Sequence, residues 1–556
     1  VRTCFLGPLI GVIIISPQDA YLYALFGAGM ALALGTLMVH LLTGRPISLV
    51  DTVPYSHILG KLRRNLEKAY SSALARPAVT GFVLGFLFRL LPEIYWWPWL
   101  IGWDTVEYLA HLRDFVTSLN PFQPYYWMGN LRHIPPLMNM VLAPFAFFAD
   151  DWILMKLYPP VCYGFLTAAA AYLSARVLNL KGRYLLASIL ASIFFFLNLR
   201  ISWDYQRQLL GSVFSVLAVA SLEINGYSND VRRQVLPASM LVLSAMSHEV
   251  TAYLAALLSL SAMGYSLIKD RKSPKVIPYL LSAAASIMLL AWYARKVIWP
   301  SRFFGAVPAG VVSYGIPSIG ESLAYLVAGY GLLIPFALMG ANKTGVYYKL
   351  ALIFLFAAGL SPLIAPKTAI ATWYRFLIAA SPFMVPLAFK GATALDRRYL
   401  AIYLIVLMLP GLCFYTPCEG AHTWKLVSAI REFPESMTPV PTSRIALKDL
   451  RDLSQFIVEL NPEVPIIVDA ATARWIHLGL RNPNPSKLIW LWRDPTLKDV
   501  ISYLKRWNLA KVYLVTWKPE AKLILELGEN GGDLRSDLQI KIIRNGIHKI
   551  YEISMP

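Results

Sequence analysis

Gly102-Trp103-Asp104-Thr105-Val106-Glu107-Tyr108 stands where an apolar span gives way to a polar loop, and the reading of the whole chain turns on it. Asp104, Glu107, Tyr108 and His111 fall at i, i+3, i+4 and i+7, so a helix carries all four on one face. Just before them, Tyr95, Trp96, Trp97 and Trp99 have the character of an aromatic belt at a membrane–water interface. Two carboxylates at such a boundary are placed for chemistry at the lipid surface. The plainer alternative is an amphipathic interfacial helix whose charges only face water. The rest of the chain weighs against it.

Of the 556 residues, 57% are hydrophobic and 15% charged, with a mean hydropathy of +0.52. That is not a soluble globular composition. Apolar stretches able to cross a bilayer, which takes about 20 residues per helix, recur along most of the length. The chain reads as a polytopic α-helical membrane protein. Its formal charge of +19 is therefore a matter of topology first, because Lys and Arg collect on cytoplasmic loops. A nucleic-acid partner is not expected, since no soluble module gathers the basic residues on one surface. Four cysteines (Cys4, Cys162, Cys413, Cys418) form no metal-ligand pattern. Cys413 and Cys418 have the spacing of either a disulfide or two free thiols.

The basic loops orient the spans. Arg45, Lys61, Arg63, Arg64, Lys68 and Arg76 place the segment after residue 44 in the cytoplasm, behind spans at 4–16 and 20–42. The apolar run Phe5 to Ile15 is kept as a span rather than a signal peptide, because it has no clear small-residue cleavage site. A span at 78–95 then leads outward, so the Asp104 loop is extracytoplasmic. Ten more spans, near 153–178, 184–200, 208–224, 234–247, 250–268, 276–293, 321–340, 348–365, 372–390 and 399–416, put every later basic loop inside. This holds only if the short apolar stretch 136–148, bounded by Pro135-Pro136 and Asp150-Asp151, does not cross. Residues 96–152 thus form one long first outer loop holding two helices along the membrane. About thirteen spans result, with the C-terminus outside. Residues 1–419 read as the membrane domain.

From residue 420 the texture changes. Helix-like segments at 446–460, 471–480, 496–507 and 518–528 alternate with β-branched or aromatic runs at 464–468, 488–492 and 511–516. Two further strands, 538–543 and 548–553, flank the turn signal Arg544-Asn545-Gly546. Residues 420–556 read as a small, largely parallel, extracytoplasmic α/β domain.

Polar residues collect at the outer ends of the spans. His248-Glu249 interrupts an apolar stretch, and Asp204, Arg207 and Gln208 sit at another outer turn. Arg132-His133 lies in the first loop, while Lys367 and Arg375 flank the start of the 372–390 span. Charges near bilayer depth are costly and tend to line functional cavities. Each has a bland reading too: Arg375 snorkels, His248-Glu249 is a polar turn, and Arg207 pairs with Asp204. Arg89, inside a span, pairs or snorkels. Phosphate-loop, His-Glu-x-x-His and Gly-x-Ser-x-Gly signatures are absent, which removes ATP hydrolysis and the commonest membrane-protease and lipase chemistries.

An acidic motif in a long first outer loop just after a core span, with further helices behind it and an outer C-terminal domain, resembles the C-type membrane glycosyltransferases (the GT-C fold). What the resemblance implies is sugar transfer from a polyprenyl (dolichyl-type) phosphate carrier to a glycan, lipid or protein acceptor on the outer face of the plasma membrane. Asp104 would match the catalytic acidic position, with Glu107 sharing or supporting that task. Arg375, in Trp373-Tyr374-Arg375-Phe376, looks like the arginine that holds the carrier phosphate. Tyr108, His111, His133, Arg207, His248 and Glu249 are candidate substrate contacts. The scheme requires no cofactor, although Asp104, Glu107 and His111 are suitable ligands for a divalent metal. The Trp-Trp-Asp-Tyr-Gly signature of oligosaccharyltransferases is absent, and the second carboxylate comes three residues after the first rather than beside it. The competing function is a flippase of lipid-linked glycans. A transporter, however, concentrates polarity at the midplane of repeated, broken helices. A non-catalytic scaffold leaves the outer carboxylates without a task.

Overall fold

The structure, a computed structural model, describes residues 74–102, 104–127, 130–226, 228, 230–269, 276–294, 319–342, 344–364, 373–415, 444–484, 486–491, 494–523 and 538–555. The expected spans at 4–16 and 20–42, the Cys413–Cys418 pairing and Lys367 lie outside the described residues. The chain gathers into two compact units, neither continuous in sequence. One comprises Val1–Trp97, Lys156–Leu290 and Ile316–Val440; the other comprises Pro98–Met155, Ala291–Gly315 and Pro441–Pro556. Composition alone divides the chain near residue 420, whereas the contacts join the first outer loop to the C-terminal segment.

The first unit is helical. Helices occur at all eleven of the described positions where spans are expected, and six of them are long and apolar enough to cross a membrane. These are Pro77–Tyr95, Asp151–Arg176, Gln206–Asn225, Glu249–Ile268, Val276–Ala294 and Trp373–Ala394. A seventh would be Gly182–Phe194 with Phe196–Trp203, which bend by 42° at Phe195. The break leaves helix carbonyls to be satisfied by side chains: Asn198 Nδ2 donates to Ser192 O at 2.8 Å, and the Tyr163 hydroxyl donates to Ile193 O. The expected 321–340 span is likewise two helices, Ile319–Tyr330 and Ile334–Ala341, and the 348–365 span is interrupted after Gly359. Trp373–Gly391 is buried almost throughout, which accounts for a sequence that is apolar on every face.

Interhelical contact in this unit depends on small and hydroxylated residues rather than on hydrophobic burial, which lipid tails do not reward. A Cβ on Gly81 would lie 2.6 Å from Thr167 O, so only glycine permits that approach. Ser215 pairs with Ser244 and Ser259 with Ser282, both at 2.8 Å. Arg89 is paired rather than snorkelling. Its guanidinium meets Glu93 at 2.9 Å and donates to Ser202 Oγ at 3.0 Å, while Lys156 takes the other Glu93 oxygen at 2.9 Å.

In the second unit the first-loop segment forms helix Thr105–Ser118, the antiparallel hairpin β1 (Tyr125–Trp127) and β2 (Asn130–Arg132), and helix Leu137–Ala146. The two helices are those expected; the hairpin is an addition. The C-terminal segment builds a five-stranded sheet from β3 (Ile466–Asp469), β4 (Leu488–Leu491), β5 (Lys511–Thr516), β6 (Gln539–Arg544) and β7 (Lys549–Ser554), in the order β4-β3-β5-β7-β6. Three strands are parallel, and the β6–β7 hairpin adds antiparallel, so the sheet is mixed rather than largely parallel. Helix Leu497–Trp507 covers it, started by a reciprocal Thr496–Asp499 cap and stopped by Asn508 at φ 48°. Its Leu497, Val500 and Leu504 pack on Ile467, Val512, Leu514 and Tyr551.

Asp449, on helix Arg444–Phe456, anchors the β6–β7 turn. It accepts from Arg544 Nη2 at 2.7 Å, His548 N at 2.8 Å and His548 Nδ1 at 2.7 Å. Burial pushes its carboxyl up, but Arg544 and His548 outweigh that and hold it below the usual value of 3.8. The folded pKa is depressed, so its contribution is complete above that ordinary value and is lost as pH falls through the folded one. Asp449→Ala is expected to destabilise the hairpin by about 2–3 kcal/mol at neutral pH. Faster hydrogen exchange across 539–554, converging with wild type under acid conditions, is the readout; unchanged exchange at neutral pH counts against it.

Candidate active site

Helix Ala470–Leu480 follows β3 directly, and Asp469 caps it by accepting from Ala471 N at 2.8 Å and Thr472 N at 3.1 Å. The cap fixes where Arg474 and His477 emerge, one turn apart. Both meet the acidic face of helix Thr105–Ser118. Arg474 Nη2 lies 3.1 Å from Asp104 Oδ1, and its guanidinium sits over the Trp490 ring at 5.3 Å. Asp104 is the N-cap of its helix, with helical backbone angles and its carbonyl accepting from Tyr108 N at 2.9 Å.

His477 bridges two carboxylates. Its Nδ1 lies 3.0 Å from Glu107 Oε1 and its Nε2 lies 3.0 Å from Asp114 Oδ2. Burial opposes its protonation, but the two flanking carboxylates outweigh burial and raise its pKa from 6.5 to about 9. His111 joins the group: its Nε2 stands 2.8 Å from the Tyr126 carbonyl and 3.8 Å from Glu107 Oε1, and its ring is 5.5 Å from that of His477. Around them, Asn482 Oδ1 accepts from Tyr126 N at 2.8 Å, and the Tyr126 hydroxyl donates to Leu488 O at 3.1 Å. Tyr108 is buried against Trp127 with ring centroids 6.1 Å apart. His133 is also buried, but it stacks on Trp292 at 4.7 Å rather than joining the cluster.

The first unit holds a second group. Arg375, near the start of helix Trp373–Gly391, places Nη1 3.1 Å from His248 Nε2 and its guanidinium 4.5 Å over the Tyr205 ring. Gln208 Nε2 donates to the Arg375 carbonyl at 2.9 Å, fixing the start of that helix. Arg375 Nη1 can only donate, so His248 Nε2 is the acceptor of that contact. His248 thus holds the Arg375 guanidinium, a group suited to an anion, with Glu249 Oε2 3.5 Å from His248 Nε2. Arg200 also lies over Tyr205, at 4.4 Å. Arg207 is buried at the beginning of helix Gln206–Asn225, whereas the Asp204 side chain is outside the described set.

Of the residues singled out from sequence, Glu107 and His111 come together in one unit, and Arg375, His248 and Glu249 come together in the other. Asp104 does not join Glu107 and His111 as a common ligand set; it is taken by Arg474. Three residues went unnoticed in the sequence: Asp114, Arg474 and His477. Asp114 was within reach, since it continues the same helical face seven residues after Glu107. Arg474 and His477 carry no local signal, because their partners lie some 370 positions away.

The fold of the chain is similar to the GT-C fold of solved membrane glycosyltransferases. The crystal structure of ArnT from Cupriavidus metallidurans in the apo state matches 86% of this chain and 98% of its own, with a TM-score of 0.52 and 13% identity. Archaeal oligosaccharyltransferase AglB from Archaeoglobus fulgidus, in complex with an inhibitory peptide and a dolichol-phosphate, matches 79% of this chain and 69% of its own at a TM-score of 0.48 and 10% identity. Arabinofuranosyltransferase AftD from Mycobacteria matches 85% of this chain and 40% of its own at 0.46 and 13% identity. No family model and no curated protein match the sequence.

Proposed function

We propose that this chain is an inverting glycosyltransferase that moves a hexose or pentose from a polyprenyl phosphate to an acceptor on the outer face of the plasma membrane. The observation that carries the reading is the Arg375 guanidinium, held 3.1 Å from His248 Nε2 in a chain whose fold is similar to the GT-C fold. A guanidinium suits a phosphate monoanion or dianion, because its fork binds two of the phosphate oxygens at once.

In the transfer, an acceptor hydroxyl oxygen bonds to C1 of the sugar as the C1–O bond to phosphate breaks. The hydroxyl proton passes to the Asp104 carboxylate, and the bonding pair leaves with the polyprenyl phosphate, which Arg375, positioned by His248, stabilises. Attack from the face opposite the phosphate inverts C1. Arg474 holds Asp104 in position, and Glu107, already engaged by His477, orients the helix rather than taking the proton. The scheme needs no cofactor at the reacting atoms. The acceptor is a glycan, lipid or protein hydroxyl. The topology that suits it has thirteen spans and places the α/β sheet domain outside the cell.

Purified protein in lipid vesicles, supplied with radiolabelled polyprenyl-phosphate sugars and an envelope extract, is expected to label an acceptor. Nucleotide sugars are expected to be inert. Movement of labelled glycolipid between leaflets without any transfer would replace this reading with the flippase.

A further inference from the structure

We propose that Glu107, His111 and His477 form a binding site for one zinc-class divalent cation, with Asp114 as the partner that orients His477. The inference stands on side chains of one compact unit and does not depend on the transfer reaction.

Burial and charge make the first argument. Glu107 and Asp114 are 1% and 3% exposed, and both histidines are fully enclosed. Two carboxylates are thus enclosed with two imidazoles away from water, an arrangement that is costly unless the carboxylates are compensated. Moreover, Glu107 Oε2 and Asp114 Oδ1 accept no hydrogen bond among the described residues. A dication with two neutral imidazoles cancels both carboxylate charges at once.

Geometry makes the second. One ligand atom from each of Glu107, His111 and His477 lies within 4.8 Å of the others. Bonds of about 2.0–2.1 Å in a tetrahedron separate ligand atoms by roughly 3.3 Å. Glu107 Oε1 stands 3.0 Å from His477 Nδ1 and 3.8 Å from His111 Nε2, on either side of that value. Asp114, 3.0 Å from His477 Nε2, is placed to accept that N–H, which would leave the Nδ1 lone pair for a cation beside Glu107. This is the carboxylate–histidine–metal relation that fixes a ligand's tautomer. His111 Nε2 faces the Tyr126 carbonyl at 2.8 Å without the cation; loading exchanges that hydrogen bond for a metal bond. The donor set of two imidazoles and one carboxylate favours zinc over magnesium or calcium, which take oxygen ligands. Asp104, paired with Arg474, stays out of the set.

The cation would join the first-loop helix to helix Ala470–Leu480. Full-length protein equilibrated with buffered zinc, then freed of excess, is expected to retain one zinc per chain by elemental analysis. Replacement by Co2+ should give the visible ligand-field bands of a four-coordinate nitrogen–oxygen site. His477→Ala should lose the metal and the bands. Asp114→Asn keeps the shape of the cluster and should weaken zinc binding by about 10–100-fold. If His477→Ala fails to fold, the wild-type cobalt spectrum and the Asp114→Asn affinity still decide the matter. Absence of stoichiometric zinc and of cobalt bands overturns the proposal, as does equal zinc retention by His477→Ala or unchanged affinity in Asp114→Asn.

Discussion

Asp104→Asn is expected to lower sugar transfer by two to four orders of magnitude, the usual worth of a positioned general base, while leaving donor binding near wild type. The amide keeps the size of the carboxylate and retains an oxygen for Arg474 Nη2, now at 3.1 Å from Asp104 Oδ1. What it cannot do is take the acceptor proton. The loss should therefore fall on kcat rather than on the donor KM. Arg474 loses its counter-charge in this variant but keeps its place over Trp490, so a modest drop in thermal stability is expected alongside the kinetic one. Single-turnover transfer from labelled donor, with thermal unfolding measured on the same preparation, separates the two. Transfer within tenfold of wild type would move proton acceptance away from Asp104.

Arg375→Ala is the second large effect: a fall in kcat/KM for the lipid-phosphate donor of about 10²–10³, equivalent to the loss of one strong donor to a developing anion. The helix start should survive, because Gln208 binds the Arg375 backbone carbonyl and not its side chain. Arg375→Lys should recover only part of the loss, since an ammonium restores charge but not the two-pronged fork. His248→Gln is expected to cost less, about tenfold, because it removes one hydrogen bond that positions Arg375 and not the guanidinium itself. Titrating a polyprenyl phosphate as inhibitor checks the assignment, for it should weaken in parallel with the donor. Unchanged inhibition in Arg375→Ala would leave Arg375 a structural role among its neighbours, His248 and Tyr205 included.

Much of the helical architecture was legible because a bilayer leaves few solutions. An apolar run of about 20 residues must satisfy its own backbone, and a helix does so. The interruptions were not legible. Phe195 breaks one expected span, and it is Asn198 and Tyr163, drawn in from neighbouring turns and helices, that make the break tolerable. In the C-terminal segment, alternation of helix and strand marked the α/β class. The pairing of β5 with β7, which makes the sheet mixed, rests on contacts between segments that do not follow one another in the chain.

The candidate sites divide along the same line. Helical periodicity alone placed Glu107 and His111 on one face and would have extended to Asp114, because a repeat of 3.6 residues is a local property. The family resemblance singled out Arg375 from its own neighbours. Only the tertiary structure brought His248 to Arg375, Arg474 to Asp104, and His477 between Glu107 and Asp114. Those meetings join residues 127 to 370 positions apart. No local pattern encodes them; they follow from which helices can pack once each buried polar group must find a partner.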